Sequence, residues 1–234
     1  MNNRLAIIVP AYNEESCIKN SLQAIRNACP EATIIVVNDA SSDNTKKIAK
    51  TMSIILLDLP INLGIGGAVQ TGLKYAARNN FDIAMQVDSD GQHDPIFIKP
   101  ILEILEKDEA DMVIGSRFLN RVGFKSSPMR ILGIRIFSYL IYLVTNKYIY
   151  DSTSGFRAYN KKTLAFAARH YPSDFPEPES IVMFLHNGFR LKEIPVIMRE
   201  RQGGISSVKP LKAVYFVFSN SIAILISALK AKKK

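Results

Sequence analysis

Short and nearly continuous apolar runs recur along the first half of the chain, with helix-like segments between them. We predict buried strands at residues 5–9, 33–37, 54–57, 83–87 and 112–114. Strands without polar alternation are typical of parallel sheets, because helices cover both faces of such a sheet. The alternation therefore predicts an α/β fold with a mostly parallel central sheet and helices on both faces.

The cysteine content and the charge narrow the functional class. The 234-residue chain has two cysteines, Cys17 and Cys29, with no CxxC pair, so neither a disulfide framework nor a zinc site is expected. A net charge of +9 suits anionic partners. Arginine and lysine concentrate in the second half, which is either a solvated basic surface or a surface that faces phosphates or lipid headgroups. We predict no nucleic-acid partner and a cytoplasmic location.

Paired carboxylates follow the fourth predicted strand. Asp88 and Asp90, with Ser89 between them, are placed where the chain leaves the sheet. Ligands bind at the carboxyl ends of strands in open α/β sheets. Two close carboxylates favour a hard divalent cation, Mg²⁺ or Mn²⁺, which can also bridge a diphosphate. Gln92 and His93 could add a ligand or a phosphate contact.

Two further strand ends carry informative residues. Asp39 follows the second strand, where its carboxylate could accept hydrogen bonds from a base or a ribose, whereas Asp43 is predicted to cap the next helix. The glycines of residues 64–67 follow the third strand and lack the Lys-Ser/Thr pair of a P-loop. That pattern counts against a nucleoside triphosphatase and against a dehydrogenase.

The second half of the chain has a different pattern. Residues 127–146 predict a long apolar helix, residues 151–157 a polar loop, and residues 190–198 a strand. Residues 213–229 are apolar but short for a membrane span, and lysines flank them. We predict a catalytic domain at 1–207 and, at 208–234, a helix with a lysine tail. That helix is expected to lie on the cytoplasmic face of a membrane or to pack on a membrane partner; the alternative is a buried terminal helix.

Four motifs follow one another at the ends of predicted strands. They are residues 9–15 (VPAYNEE), 38–45 (NDASSDNT), 62–68 (NLGIGGA) and 88–93 (DSDGQH). With these motifs, residues 5–207 resemble the family 2 inverting glycosyltransferases, which have the GT-A fold. Within that family the sequence is most similar to polyprenyl-phosphate hexosyltransferases, the dolichol-phosphate mannose synthase branch.

The resemblance implies a role for each motif residue. The base and ribose of a UDP- or GDP-sugar would be held by Pro10, Tyr12, Glu14, Asp39 and the Val37 backbone. The metal would be held by Asp88 and Asp90, with Gln92 as a further ligand. The acceptor phosphate would be gripped by Arg117 and Arg130, with Arg135 a further candidate, and Arg201 and Ser206 would belong to a loop that closes over the donor diphosphate.

The acceptor decides between two activities. A polyprenyl phosphate is already anionic, so cations that place it would suffice. A sugar hydroxyl would require a general base, for which Glu179, Glu177 and Asp151 are candidates, with Glu179 matching a family glutamate fourteen residues before Glu193. The predicted function is hexose transfer to a polyprenyl phosphate in cell-envelope glycan synthesis. The alternatives are extension of a glycan at a hydroxyl and an inactive nucleotide-binding scaffold.

Overall fold

The computed structural model describes residues 4–119, 128–174, 176–199 and 210–231. The strands are β1 (Leu5–Ala11), β2 (Thr33–Asn38), β3 (Ile55–Asp58), β4 (Ile83–Gln86), β5 (Met112–Ser116), β6 (Arg157–Asn160) and β7 (Leu191–Pro195). The helices are α1 (Ile18–Ala28), α2 (Thr45–Lys50), α3 (Gly64–Arg78), α4 (Ile98–Glu106), α5 (Pro128–Thr145), α6 (Lys161–His170), α7 (Pro176–His186) and α8 (Pro210–Ala231).

The seven strands form one sheet in the order β3-β2-β1-β4-β6-β5-β7. All pairs are parallel except those of β6, which runs antiparallel between β4 and β5. Alternate residues of β1 face opposite sides of the sheet. Ile7 packs in the core under α1, and Ile8 packs in the core under α3. The predicted fold, mostly parallel and covered on both faces, is confirmed.

A glycine allows α3 to lie directly on the sheet. A β-carbon at Gly72 would come within 2.4 Å of the Ile8 Cγ2 atom, so a larger residue would push the helix outward. This close approach brings the first turn of α3, from Gly64, to the carboxyl end of β1 and β2. The glycines of residues 64–67 thus begin a helix, as the sequence predicts.

The structure differs from the predicted elements in the second half of the chain. The predicted 151–157 loop is wrong at its end, because Arg157 begins the short strand β6 in the middle of the sheet. The predicted 190–198 strand is shorter, and α7 begins at Pro176, a common first-turn residue because it needs no amide donor.

Helices α5, α7 and α8 pack on one another beside the sheet. A β-carbon at Gly133 of α5 would lie 3.0 Å from Val217 of α8, which marks a close crossing of the two helices. In α8, Asn220, Ile224 and Ala228 are buried. In the described part of the chain, none of the helices combines the length and the apolar character that a membrane crossing requires.

Candidate active site

A cleft opens at the carboxyl ends of β1, β2 and β4. Its volume is about 750 Å³. The side chains and backbone that line it come from the four sequence motifs: Pro10, Ala11, Tyr12, Asn13, Glu14, Asp39, Asn62, Gly64, Ile65, Ala68, Asp88, Ser89 and Asp90. The fold therefore brings four of the predicted base and ribose contacts, Pro10, Tyr12, Glu14 and Asp39, into one cavity with Asp88, Ser89 and Asp90.

The loops after β1 and β2 are tied together through Asn13. Its side-chain oxygen accepts a hydrogen bond from the Ser42 amide at 2.8 Å, and its own amide donates to Ser41 Oγ at 3.0 Å. Both Asn13 and Ala40 have φ of 55°, in the left-handed region. Such strain in a non-glycine residue is concentrated at functional sites, and here it shapes the two loops that border the cleft.

Asp39 is nearly buried at the end of β2. Its Oδ1 atom accepts the Leu63 amide at 2.7 Å, and its carbonyl accepts from Asn62 Nδ2 at 3.2 Å. The carboxylate is thereby anchored to the segment before α3. Tyr12 also lines the cleft, and half of its surface is exposed. Its ring is therefore accessible for stacking on a base. Val37 contributes to β2 beside Pro10, and its side chain lies in the core.

Asp43 has the helix-capping role predicted for it. Its Oδ1 accepts the Thr45 amide at 2.9 Å, so it satisfies an amide in the first turn of α2. The residue at the formal cap position is Asn44, one residue later. Asp43 also accepts the Glu15 amide at 3.1 Å and so joins α2 to the β1 loop.

Gln86 and His93 hold the carboxylate of Asp88 in its orientation. Gln86 Nε2 donates to Asp88 Oδ1 at 3.2 Å, and His93 Nε2 lies 3.5 Å from Oδ2. The buried His93 ring stacks on Phe156, and its Nδ1 atom accepts the Asp88 amide at 2.9 Å. His93, which the sequence left as a possible ligand, is therefore a support for Asp88.

The pair Asp88 and Asp90 fits a hard divalent cation. Asp90 Oδ1 accepts the Gln92 amide at 3.0 Å, which folds the loop so that both carboxylates line the cleft. Within the described ranges, no group of three or more His, Cys, Asp or Glu side chains is arranged so that protein ligands alone could hold a metal ion. Two carboxylates completed by phosphate and water oxygens match the preference of Mg²⁺. Gln92 is not among the lining residues, so its predicted ligation stays a prediction.

Arg117, predicted to hold the acceptor phosphate, lies in a buried ion pair. Its Nε and Nη2 atoms each approach an oxygen of Asp151 at 2.6 Å, and Nη2 also donates to Thr153 at 2.8 Å. The side chains of Arg117 and Asp151 are 3% and 0% exposed. Asp151 is thus engaged by an arginine and does not face the cleft as a general base would.

Glu193 holds the segment that carries Asp151. Its two carboxylate oxygens accept the amides of Tyr150 and Asp151, both at 2.8 Å. Burial raises the pKa of Glu193, and these amide bonds act in the opposite direction. The glutamate of β7 therefore positions Asp151, which in turn positions Arg117. In the sequence, Glu193 stands out only by its spacing from Glu179, and no pattern there predicts this role.

Arg130 lies near Arg117 at the start of α5. The residue as a whole is exposed, but the protein around its guanidinium desolvates it and lowers its pKa, and the charge of Arg117 is a second cause. A guanidinium group can bind a phosphate through charge-assisted hydrogen bonds. Arg135, the third predicted arginine, is exposed on the next turn of α5.

The two candidate glutamates of α7 lie in different surroundings. Glu179 Oε1 accepts a hydrogen bond from Ser227 of α8 at 3.2 Å. Burial raises the pKa of Glu177, the negative charge of Asp88 adds to the rise, and Arg157 and Arg117 oppose it. Glu177 is therefore within electrostatic reach of both the metal-site carboxylate and the arginines, whereas Glu179 contacts the terminal helix.

A buried arginine, Arg157, connects the 152–154 loop to helix α7. Arg157 of β6 has no exposed surface and donates to the carbonyls of Ser152, Ser154 and Glu177, and to the Ser180 hydroxyl. These bonds join the 152–154 loop to α7. Sequence patterns gave no signal for this role, because the partners are spread over 29 residues.

The predicted donor loop lies outside the described residues, including Arg201 and Ser206. Its starting point is described. The Arg199 amide donates to the Gln92 carbonyl at 2.9 Å, and its guanidinium donates to Asp94 at 2.8 Å. The chain therefore enters residues 200–209 directly beside the loop of Asp88 and Asp90.

Comparisons with known proteins agree with this arrangement. The pattern of glycosyl transferase family 2 matches residues 6–165. The chain is 33% identical over 210 residues to the UDP-N-acetylglucosamine–dolichyl-phosphate N-acetylglucosaminyltransferase of Methanococcus voltae, covering 81% of this chain and 83% of the relative. It is 30% identical over 219 residues to the undecaprenyl-phosphate mannosyltransferase of Micrococcus luteus, covering 88% and 87%.

Solved structures share the fold. Glucosyl-3-phosphoglycerate synthase from Mycobacterium tuberculosis, in complex with Mn²⁺, UDP-glucose and phosphoglyceric acid, superposes with a TM-score of 0.73. The superposition covers 97% of this chain and 80% of that chain, at 16% sequence identity. At this identity the likeness establishes a common fold.

Proposed function

The chain belongs to glycosyl transferase family 2, and we propose that it transfers a hexose from a nucleotide-sugar to a polyprenyl phosphate in cell-envelope glycan synthesis. The observation that carries the proposal is the cleft at the carboxyl edge of the sheet, which is lined by the carboxylates of Asp39, Asp88 and Asp90. The named activities of the Methanococcus and Micrococcus relatives, both transfers to a lipid phosphate, support the same acceptor.

On the donor side, each motif contributes one contact. Tyr12 would stack on the base, and Asp39 would accept hydrogen bonds from the base or the ribose. Asp88 and Asp90 would hold Mg²⁺ or Mn²⁺, which when bound offsets charge on the departing diphosphate. A UDP-sugar or a GDP-sugar would satisfy these contacts. Arg201 and Ser206 would then contact the diphosphate from the loop that starts beside Asp90.

On the acceptor side, Arg130 would bind the phosphate directly, and the positive charge of Arg117 would help to hold the phosphate there. The ion pair with Asp151 holds the Arg117 side chain in place, so Arg117 would contribute a fixed positive charge. Arg135 would meet the phosphate or a neighbouring headgroup from the next turn. The acceptor oxygen is already anionic, so attack at the anomeric carbon needs placement rather than a base.

One observation favours a second candidate, transfer to a sugar hydroxyl. Burial raises the pKa of Glu177, although Arg157 opposes the rise, and a carboxyl group with a raised pKa is suited to proton transfer. Glu179, the base first predicted, would need to leave Ser227 to reach the cleft. If the hydroxyl acceptor is correct, Glu177→Gln should abolish transfer to a glycan, whereas Glu179→Gln should not.

The acceptor proposal predicts a selective loss in the Arg130→Ala variant. Removing a charge-assisted contact to phosphate costs roughly 1.5 to 3 kcal/mol, about ten- to a hundredfold in kcat/KM for the lipid acceptor. The measurement is transfer of radiolabelled sugar to undecaprenyl phosphate, with donor binding by calorimetry. Arg78→Ala, at the exposed end of α3, is the matched control. Equal loss of donor binding, or transfer to glycans alone, would contradict the lipid-phosphate acceptor.

We also propose that α5 and α8 hold the protein on the cytoplasmic face of the membrane. Opposite its packed side, α8 exposes Phe218, Ile222, Leu225, Ile226 and Leu229, and α5 exposes Met129, Leu132, Ile136, Tyr139 and Leu143. Apolar patches of this kind mark interaction surfaces. Helices that expose one apolar side can lie in the membrane interface, where nearby lysines meet anionic lipids.

Vesicle binding tests the membrane surface. The variant with Phe218, Leu225 and Leu229 replaced by Ser should lose most binding to anionic liposomes, because these side chains are 65%, 46% and 65% exposed and contribute little to the core. Ile96→Ser, at an exposed position on the other side of the sheet, is the control. Liposome binding equal to that of the unaltered protein would show that this surface does not meet the membrane.

A further inference from the structure

Three exposed tyrosines form a row beside α5. The rings of Tyr142 and Tyr148 have centroids 6.4 Å apart, and those of Tyr148 and Tyr150 are 5.0 Å apart in an edge-to-face arrangement. The three residues are 42%, 45% and 50% exposed. Rings that contact one another while remaining open to solvent offer a continuous apolar surface.

The backbone holds this row rigidly. Between Tyr148 and Asp151 burial alternates: Tyr148 and Tyr150 face outward, whereas Ile149 and Asp151 are 1% and 0% exposed. The Tyr150 amide is fixed by Glu193 at 2.8 Å. The two tyrosines are therefore presented on one side of a segment that is anchored by its inward-facing neighbours. A surface that is ordered before a ligand arrives loses less conformational entropy on binding.

The row is continuous with the arginines of the acceptor side. Asp151, which follows Tyr150 directly, forms the buried ion pair with Arg117, and the charge of Arg117 acts on Arg130. Only Ile149 and Tyr150 separate Tyr148 from Asp151, so the chain between them spans at most about 10 Å. A ligand whose charged end lies at Arg130 can thus extend along Tyr150 and Tyr148 to Tyr142, on the exposed side of α5.

We propose that Tyr142, Tyr148 and Tyr150 bind the first isoprene units of the acceptor, next to its phosphate. This inference rests on the proposed polyprenyl-phosphate acceptor. Aromatic rings provide a broad apolar contact at low conformational cost, and their hydroxyl groups keep the surface wettable when no lipid is bound. The row makes the enzyme selective for phosphates that carry a prenyl chain over phosphates that do not.

The test compares two acceptors in detergent, where no bilayer is present. The acceptors are undecaprenyl phosphate and ethyl phosphate, and the variant replaces both Tyr148 and Tyr150 with Ala. We expect kcat/KM for undecaprenyl phosphate to fall about tenfold or more, as for truncated aromatic contacts, with use of ethyl phosphate unchanged. The variant with Tyr148→Phe and Tyr150→Phe should retain activity with the lipid, because both aromatic rings are still present. Ile96→Ala removes an exposed apolar side chain on the other side of the sheet and serves as the control.

Other outcomes would overturn the inference. An equal loss with ethyl phosphate would mean that the row only supports the phosphate site. Unchanged transfer in detergent together with weaker binding to acceptor-free vesicles would assign the row to the bilayer. If the unaltered protein used no prenyl phosphate but did glycosylate a sugar hydroxyl, the proposed function would fail as well. Donor binding by calorimetry and the melting temperature show that the double variant is folded.

Discussion

Asp90→Asn is expected to lower kcat by roughly a thousandfold, the loss seen when a major electrostatic contact to the departing group is removed. Asp90 and Asp88 are the two carboxylates in the cleft that suit a divalent cation. Asparagine keeps an oxygen that can accept the Gln92 amide, so the loop should retain its shape while the charge is lost. The measurement is sugar transfer with Mn²⁺ or Mg²⁺, together with Mn²⁺ binding by calorimetry in the presence of UDP or GDP.

The control removes a carboxylate of similar charge far from the cleft. Glu103 is exposed on α4, where it pairs with Lys107 at 3.7 Å, and Glu103→Gln should leave transfer unchanged. The melting temperature of the Asp90 variant should stay close to that of the unaltered protein, since Asp90 contributes to the cleft rather than to the core. Full activity in excess EDTA would refute the metal proposal.

Arg117→Ala is expected to destabilise the protein by about 3–5 kcal/mol, the usual cost of leaving one partner of a buried ion pair without the other. Asp151 would keep a buried carboxylate that has lost two charge-assisted bonds of 2.6 Å. Urea unfolding followed by circular dichroism measures the change. Asp151→Ala should cost a similar amount, for the same reason.

A double variant separates the loss of the ion pair between Arg117 and Asp151 from the loss of side-chain packing. Replacing Arg117 by Met and Asp151 by Leu removes both charges, so the loss should be much smaller than the sum of the single losses. Lys161→Ala breaks the largely exposed pair with Asp82 and should change stability little. Additive losses in the double variant would mean that the ion pair itself contributes nothing.

The sheet and the cleft at its carboxyl edge could be predicted from the sequence. Apolar runs form the buried strands β1, β2, β4 and β5, because only helices on both faces can cover strands without polar alternation. Polar residues that directly follow such strands must emerge at one edge of the sheet. Asp39, Asp88 and Asp90 could therefore be assigned to one cleft from their positions in the chain.

The contacts around Arg117, Arg157 and Glu179 could be seen only in the folded chain. The strand β6 has only four residues, and two of them, Arg157 and Asn160, are polar, so no periodicity reveals its antiparallel insertion. The partner of Arg117 lies 34 residues away, and packing against α8 turns Glu179 toward Ser227.

The physical reason for this division is the range of the interactions. Burial patterns along a strand are local and can be read from consecutive residues. Ion pairs, and tyrosines that meet across a turn, depend on contacts between segments that only the folded chain brings together. Asp151 is the clearest case: its sequence position suggested a general base, and the fold made it the buried partner of an arginine.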